Sequence, residues 1–175
     1  MHYATIKNCD IANGPGVRIS LFVSGCTHHC PGCFNEETWD FLYGDPFTDE
    51  TEKKIFDLLS PDYIAGLSVL GGEPMEYVNQ QALAGFLERV RERFPEKSIW
   101  IYTGYIFEKD LLGHMMKKWK ETGRILAAAD VLVDGPFVLE KKDISLRFRG
   151  SSNQRIIDLK KSMAEKKTVL WEDPS

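Results

Sequence analysis

The sequence predicts an α/β fold: a parallel sheet with flanking helices, arranged as an open partial (β/α) barrel of about four to six strands. Short apolar runs alternate with longer amphipathic ones from residue 17 to residue 135, the pattern of right-handed βαβ units. At 175 residues the chain is also too short for a closed eight-stranded barrel, which takes roughly 250. A small doubly wound sheet satisfies the same pattern.

The elements follow in order. VRISLFVSG (17–25) is rich in β-branched and aromatic residues and reads as a buried strand. DETEKKIFDLLS (49–60) sets Ile55, Phe56, Leu58 and Leu59 on one helical face, with Asp49 and Glu52 as a capped start. AGLSVL (65–70) is the second strand. NQQALAGFLERVRERF (79–94) places Leu83, Phe86, Leu87 and Val90 on one face, and Pro95 ends it. SIWIYT (98–103) is the third strand. KDLLGHMMKKWKET (109–122) is the third helix, with Gly123 at the C-cap position. DVLVDG (130–135) is the fourth strand.

The bulk numbers exclude some classes. With 43% hydrophobic and 27% charged residues the chain is neither disordered nor membrane-like. It has no apolar run of about 18 residues, and MHYATIKNCD lacks the basic-then-apolar layout of a signal peptide. A cytoplasmic protein with reduced thiols is expected, with no membrane or nucleic-acid partner. Residues 141–167 hold nine Lys/Arg against three acids. They form either a solvated surface or a docking surface for an acidic partner.

In open α/β sheets ligands bind beyond the C-terminal strand ends. The cysteine loop, GGEP (71–74), TGY (103–105) and DGPF (134–137) follow strands one to four in turn, so one rim is the expected active face. Within GCTHHCPGCFN (25–35) stand Cys26, Cys30 and Cys33. Three readings are open. With His28 or His29 the thiols could hold a structural zinc, but without the distant second ligand pair usual in zinc modules. Cys30-Pro31-Gly32-Cys33 could exchange disulfides, leaving Cys26 idle. Or three thiolates could hold a four-iron cluster with one iron open to an outside ligand. Cys9 stands apart, as a small buried hydrophobe or a free thiol.

The cysteine spacing with Phe34 directly after it, followed by GGEP, resembles the radical S-adenosylmethionine superfamily. NGPGVRISLFVSGC, GCTHHCPGCFNEETW, WIYTGY, DVLVDGPF and LRFRGSSNQR together resemble its glycyl-radical-enzyme activases, most narrowly those serving anaerobic ribonucleoside-triphosphate reductase. The likeness runs from about residue 8 to residue 157. It implies a radical S-adenosylmethionine domain over 1–159 and a tail, 160–175, of no assigned role. Activation of another glycyl radical enzyme, of the formate-lyase type, is the nearest alternative.

The resemblance implies that Cys26, Cys30 and Cys33 are catalytic and hold a [4Fe-4S] cluster. S-adenosyl-L-methionine would bind the fourth iron and give a 5′-deoxyadenosyl radical that takes hydrogen from a glycine of the reductase. An electron donor such as flavodoxin is implied. Gly71, Gly72 and Glu73 would grip the methionyl ammonium, with Glu73 offering its carboxylate. Phe34 would lie on the adenine or cluster, or simply pack, and backbone near Gly32, Cys33 and Phe34 would meet the adenine. Thr103 and Asp134 would contact the cofactor or a cation. Arg18 and the turn Asn13-Gly14-Pro15-Gly16 either receive the partner or only turn the chain into strand one. His28 would tune the cluster or stand as exposed filler. Asn153 and Gln154 are a polar patch near the rim.

Overall fold

The computed structural model describes residues 1–174. Its seven strands are β1 (His2–Asp10), β2 (Val17–Val23), β3 (Asp45–Pro46), β4 (Ile64–Gly71), β5 (Ser98–Tyr102), β6 (Val131–Asp134) and β7 (Arg155–Asp158). They form one open sheet in the order β3-β1-β2-β4-β5-β6-β7. The four strands read from the sequence, β2, β4, β5 and β6, are its parallel centre. Antiparallel β1 and β3 close one side and antiparallel β7 the other. The helices are α1 (Asp49–Leu59), α2 (Tyr77–Arg93), α3 (Met116–Lys118), α4 (Lys120–Ala128) and α5 (Leu159–Glu165).

Strand alternation sorts the core into two faces. Ile19, Leu21, Leu67, Val69, Ile99, Ile101 and Leu132 meet Ile55 and Leu59 of α1, Leu83 and Phe86 of α2, and Ile125 of α4. The alternate residues Trp100, Val131 and Val133 meet Phe148 and Trp171, which come from a loop and the tail. A doubly wound sheet would put helices on this second face as well, so the open half-barrel arrangement is the one adopted.

The register makes the rim. Leu21, Val69, Ile101 and Leu132 lie in one row across the four parallel strands. All four loops therefore leave the sheet at nearly the same level.

Three expectations need correction. The third helix is not a single element ending at Gly123. A π-helical stretch, Phe107–Met115, runs into α3. Trp119 then takes an extended conformation and stacks on Tyr77 at 4.5 Å. Helix α4 continues through Gly123 to Ala128, because buried Thr122, Ile125 and Leu126 are needed on the core face. The sheet also exceeds six strands, since the half-exposed β1 carries too few apolar residues to signal itself. Finally, Arg18 lies at the other end of the sheet from the cysteine rim.

Arg18 is 0% exposed. It donates to Ser68 Oγ (2.8 Å), Ser98 Oγ (2.9 Å) and the carbonyls of Pro15, Leu67 and Ser98. Burial lowers its pKa to about 10, which leaves it charged at neutral pH. It ties β2, β4 and β5 together, so Arg18 is held inside the fold and is not free to receive a partner. Arg18→Met should leave the Ser98 hydroxyl without its partner, take one of the two from Ser68, and lower stability by about 2–4 kcal/mol. Urea unfolding checks this, with the midpoint falling while its slope stays constant.

Candidate metal centre

After β2 the chain turns sharply at Gly25, whose φ of +100° leaves no room for a side chain: a Cβ would stand 2.4 Å from the Phe41 ring. Gly25 N donates to Thr38 O (2.7 Å) and Cys26 N to Trp39 O (3.2 Å). The loop thus folds back on itself and closes around its thiols. Gly32, at φ +77°, completes the turn in which Cys33 N donates to Cys30 O (3.1 Å). Cys26, Cys30 and Cys33 are free thiols lining one cavity of about 130 Å³, with His28, Thr103, Gly104 and Phe137 around them.

This donor set fits an iron–sulfur cluster. A four-iron cluster takes each thiolate at a different iron, and three thiols around one cavity supply that. Burial pushes the Cys26 thiol up to about 11, against the opposing hydrogen bonds from the His28 and His29 backbone, and also raises Cys30. Thiols buried this way become thiolates when a cationic metal lies beside them.

The GGEP loop lies directly on the cysteine loop. Gly72 N donates to Val23 O and Glu73 N to Gly25 O, both at 2.8 Å. A Cβ on Gly72 would stand 2.7 Å from Gly25 O and 2.8 Å from Thr38 O, and one on Gly71 2.6 Å from Val23 O. The glycines therefore allow one loop's backbone to approach the other's.

Glu73 is 1% exposed. Its Oε1 accepts from Gly104 N (2.7 Å) and lies 2.8 Å from His28 Nε2. Its Oε2 accepts from Thr103 Oγ1 and Met75 N, both at 2.8 Å. A carboxylate offers about four lone-pair positions, and the chain's own groups fill them. In this structure the Glu73 carboxylate is thus occupied by the chain's own groups. Thr103 is likewise tied to Glu73, within the cavity lining. His28 is no exposed filler. Burial pulls its pKa down, but the Glu73 hydrogen bond and charge outweigh that and raise it. His29 stacks on Trp39 at 4.4 Å.

Asp134 is directed elsewhere. Val133 and Gly135 line the cysteine cavity. Asp134, one position off, accepts from Arg155 (2.6 and 3.0 Å) and Phe107 N (2.9 Å). Phe34 is 61% exposed, so it does not pack in the core. It lies 5.1 Å from Phe137 under Lys142 and borders a larger cavity of about 390 Å³. The two cavities share Tyr102, Phe137 and Gln154. The Tyr102 hydroxyl is buried with no hydrogen-bond partner among the described residues. Its only sequence signal was its place beside Thr103. Gln154 holds the loop above by donating to Gly135 O and accepting from Gly150 N and Ser151 N, and Asn153 donates to Pro136 O. Cys9 is exposed and remote from the cluster loop. The basic stretch is partly neutralised by Arg155 with Asp134 and Glu108, and by Arg147 with Asp173.

Gly72→Ala should lower stability by about 1–3 kcal/mol, because two backbone carbonyls must move. Gly85→Ala, inside α2 and against the flexible ends of Arg89 and Arg124, should instead gain up to about 1 kcal/mol. Urea unfolding of the pair gives opposite signs if the loop contact is as tight as described.

Comparison with known proteins agrees with this donor set. The 4Fe-4S single cluster domain family matches residues 12–157. Three proteins named anaerobic ribonucleoside-triphosphate reductase-activating protein align over most of the chain. The one from Vibrio cholerae is 42% identical over 159 residues, covering 89% of this chain and 97% of its own. The Escherichia coli K12 protein is 40% identical over 162 residues, 91% of this chain and all of its own. That of Enterobacteria phage T4 is 40% identical over 158 residues, 89% of this chain and 93% of its own. With its three-thiol rim and this identity along nearly its whole length, the chain belongs to the family of anaerobic ribonucleoside-triphosphate reductase-activating proteins.

Proposed function

We propose that the chain activates an anaerobic ribonucleoside-triphosphate reductase by installing a glycyl radical on it. Cys26, Cys30 and Cys33 would hold a [4Fe-4S] cluster, and S-adenosylmethionine would complete the site. When bound, the cluster supplies the electron that cleaves S-adenosylmethionine to methionine and a 5′-deoxyadenosyl radical, which takes a hydrogen atom from a glycine Cα. The observation that carries the proposal is the set of three thiols on one rim, hydrogen-bonded through Gly25 to the GGEP loop.

The chain's own residues orient and enclose. Gly71 and Gly72 bring backbone, rather than the Glu73 carboxylate, to the methionyl end. The larger cavity, with Lys142 and Arg149 at its wall and Phe34 and Phe137 beside the thiols, receives the reductase's glycine segment and keeps water from the reacting carbon. An electron donor such as flavodoxin would act from outside, in the cytoplasm; among the described residues no helix is long and apolar enough to cross a membrane.

Electron paramagnetic resonance of purified reductase, after anaerobic incubation with the iron-loaded chain, S-adenosylmethionine and reductant, tests this. A glycyl doublet is expected, lost with Cys26→Ala, Cys30→Ala or Cys33→Ala and kept with Cys9→Ala. A colourless protein holding one tight zinc, or a doublet on a formate-lyase type enzyme alone, would overturn it.

A further inference from the structure

The family match ends at residue 157, yet the chain beyond it is built into the fold. Asp158 N donates to Val169 O and Trp171 N to Ile156 O, both at 2.9 Å, and Leu170 bridges Ile157. The tail so adds a short antiparallel stretch to β7. This holds the Trp171 ring edge-on to Trp100 (5.0 Å) and to Phe148 (6.3 Å), while Phe148 stands edge-on to Trp100 at 5.5 Å.

Phe148 is unusual in its own right. Its φ of +63° is a left-handed backbone in a bulky, 9% exposed residue. Such a conformation persists only where the surroundings over-determine it. Here they do so from two sides. Trp100 and Trp171 box the ring, and Arg147 lies 4.7 Å over it while pairing with Asp173 of the tail. The tail thus grips two consecutive residues of the loop 142–150. That loop supplies Lys142, Ile144, Leu146 and Arg149 to the wall of the larger cavity.

We propose that the tail from Val169 to Asp173 is a strap that presets this loop for the reductase's glycine segment, with Trp171 a positioning residue acting through Phe148. The role in docking rests on the assignment of the larger cavity made above; the hold on the loop does not. A preset loop loses less freedom on binding, so the strap acts on affinity rather than on chemistry at the thiols.

The test compares the full-length wild type with Trp171→Ala and Trp171→Phe. Amide hydrogen exchange on the iron-free chain should speed up about tenfold or more over 147–150 in Trp171→Ala, an opening of the local kind, and stay unchanged over 26–33. Calorimetric titration of the iron-free chain with purified anaerobic reductase should show Kd raised about tenfold, and Trp171→Phe should restore most of both. In the loaded protein, KM for the reductase should rise while 5′-deoxyadenosine formation without reductase holds. Unchanged loop exchange overturns the proposal, and so does faster exchange throughout β5 and β6, which would make Trp171 mere fold support. A loosened loop with unaltered Kd overturns the docking role alone. A wild type that does not bind the reductase at all counts against the cavity's assignment and the docking role together. If Trp171→Ala fails to fold, Asp173→Asn keeps the aromatic box and carries the same readouts.

Discussion

A buried carboxylate holds the rim together. Glu73 sits in nearly dry surroundings, where an unpaired carboxylate would be strongly destabilising. It is tolerated because groups from three loops fill its oxygens: His28 from the cysteine loop, Thr103 and Gly104 from the loop after β5, and Met75 from its own. None of these loops has regular secondary structure of its own at the contact. Strand register brings them to one level, and Glu73 joins them there. The cysteines, the GGEP backbone and the Thr103 loop become one connected surface only through this group and the close approach of Gly72.

The opposite end of the sheet is secured in the complementary way. Arg18 there is as buried as Glu73 and is satisfied by hydroxyls and carbonyls that link β2, β4 and β5. Between the two ions run rows of aliphatic side chains that hold the strands in step. A carboxylate lies near the thiols and a guanidinium far from them, and among the described residues no lysine or arginine lines the thiol cavity. The positive charge that buried thiols need to ionise would then come from a metal.

The parts legible in the sequence were those with a strong local signal. The four parallel strands were short apolar runs, and the shared rim followed from what came after each. The cysteine triplet stood out by its spacing, which by itself left zinc, thiol exchange and an iron–sulfur cluster open. What escaped had weak or competing signals. Gly123 resembled a helix stop, but Thr122, Ile125 and Leu126 needed burial and carried α4 through it. Strand β1 is half polar and half exposed. The pairing of Asp134 with Arg155 was not legible, since it forms across the β6–β7 ladder. That Glu73 is bonded by residues 28, 103 and 104 was not legible, because only the fold brings them to it. Trp171 showed its role only through three-dimensional neighbours.

The most direct measurement of the organising role is amide hydrogen exchange on iron-free Glu73→Gln. An amide side chain keeps the volume but can satisfy only part of the donor set. Protection should fall together in all three loops, at Gly104, at Met75 and across Cys26 to Cys33, while β2, β4 and β5 stay protected. If only the segment around residue 73 loosens, or nothing does, the three loops are held independently and the carboxylate is not what unites them.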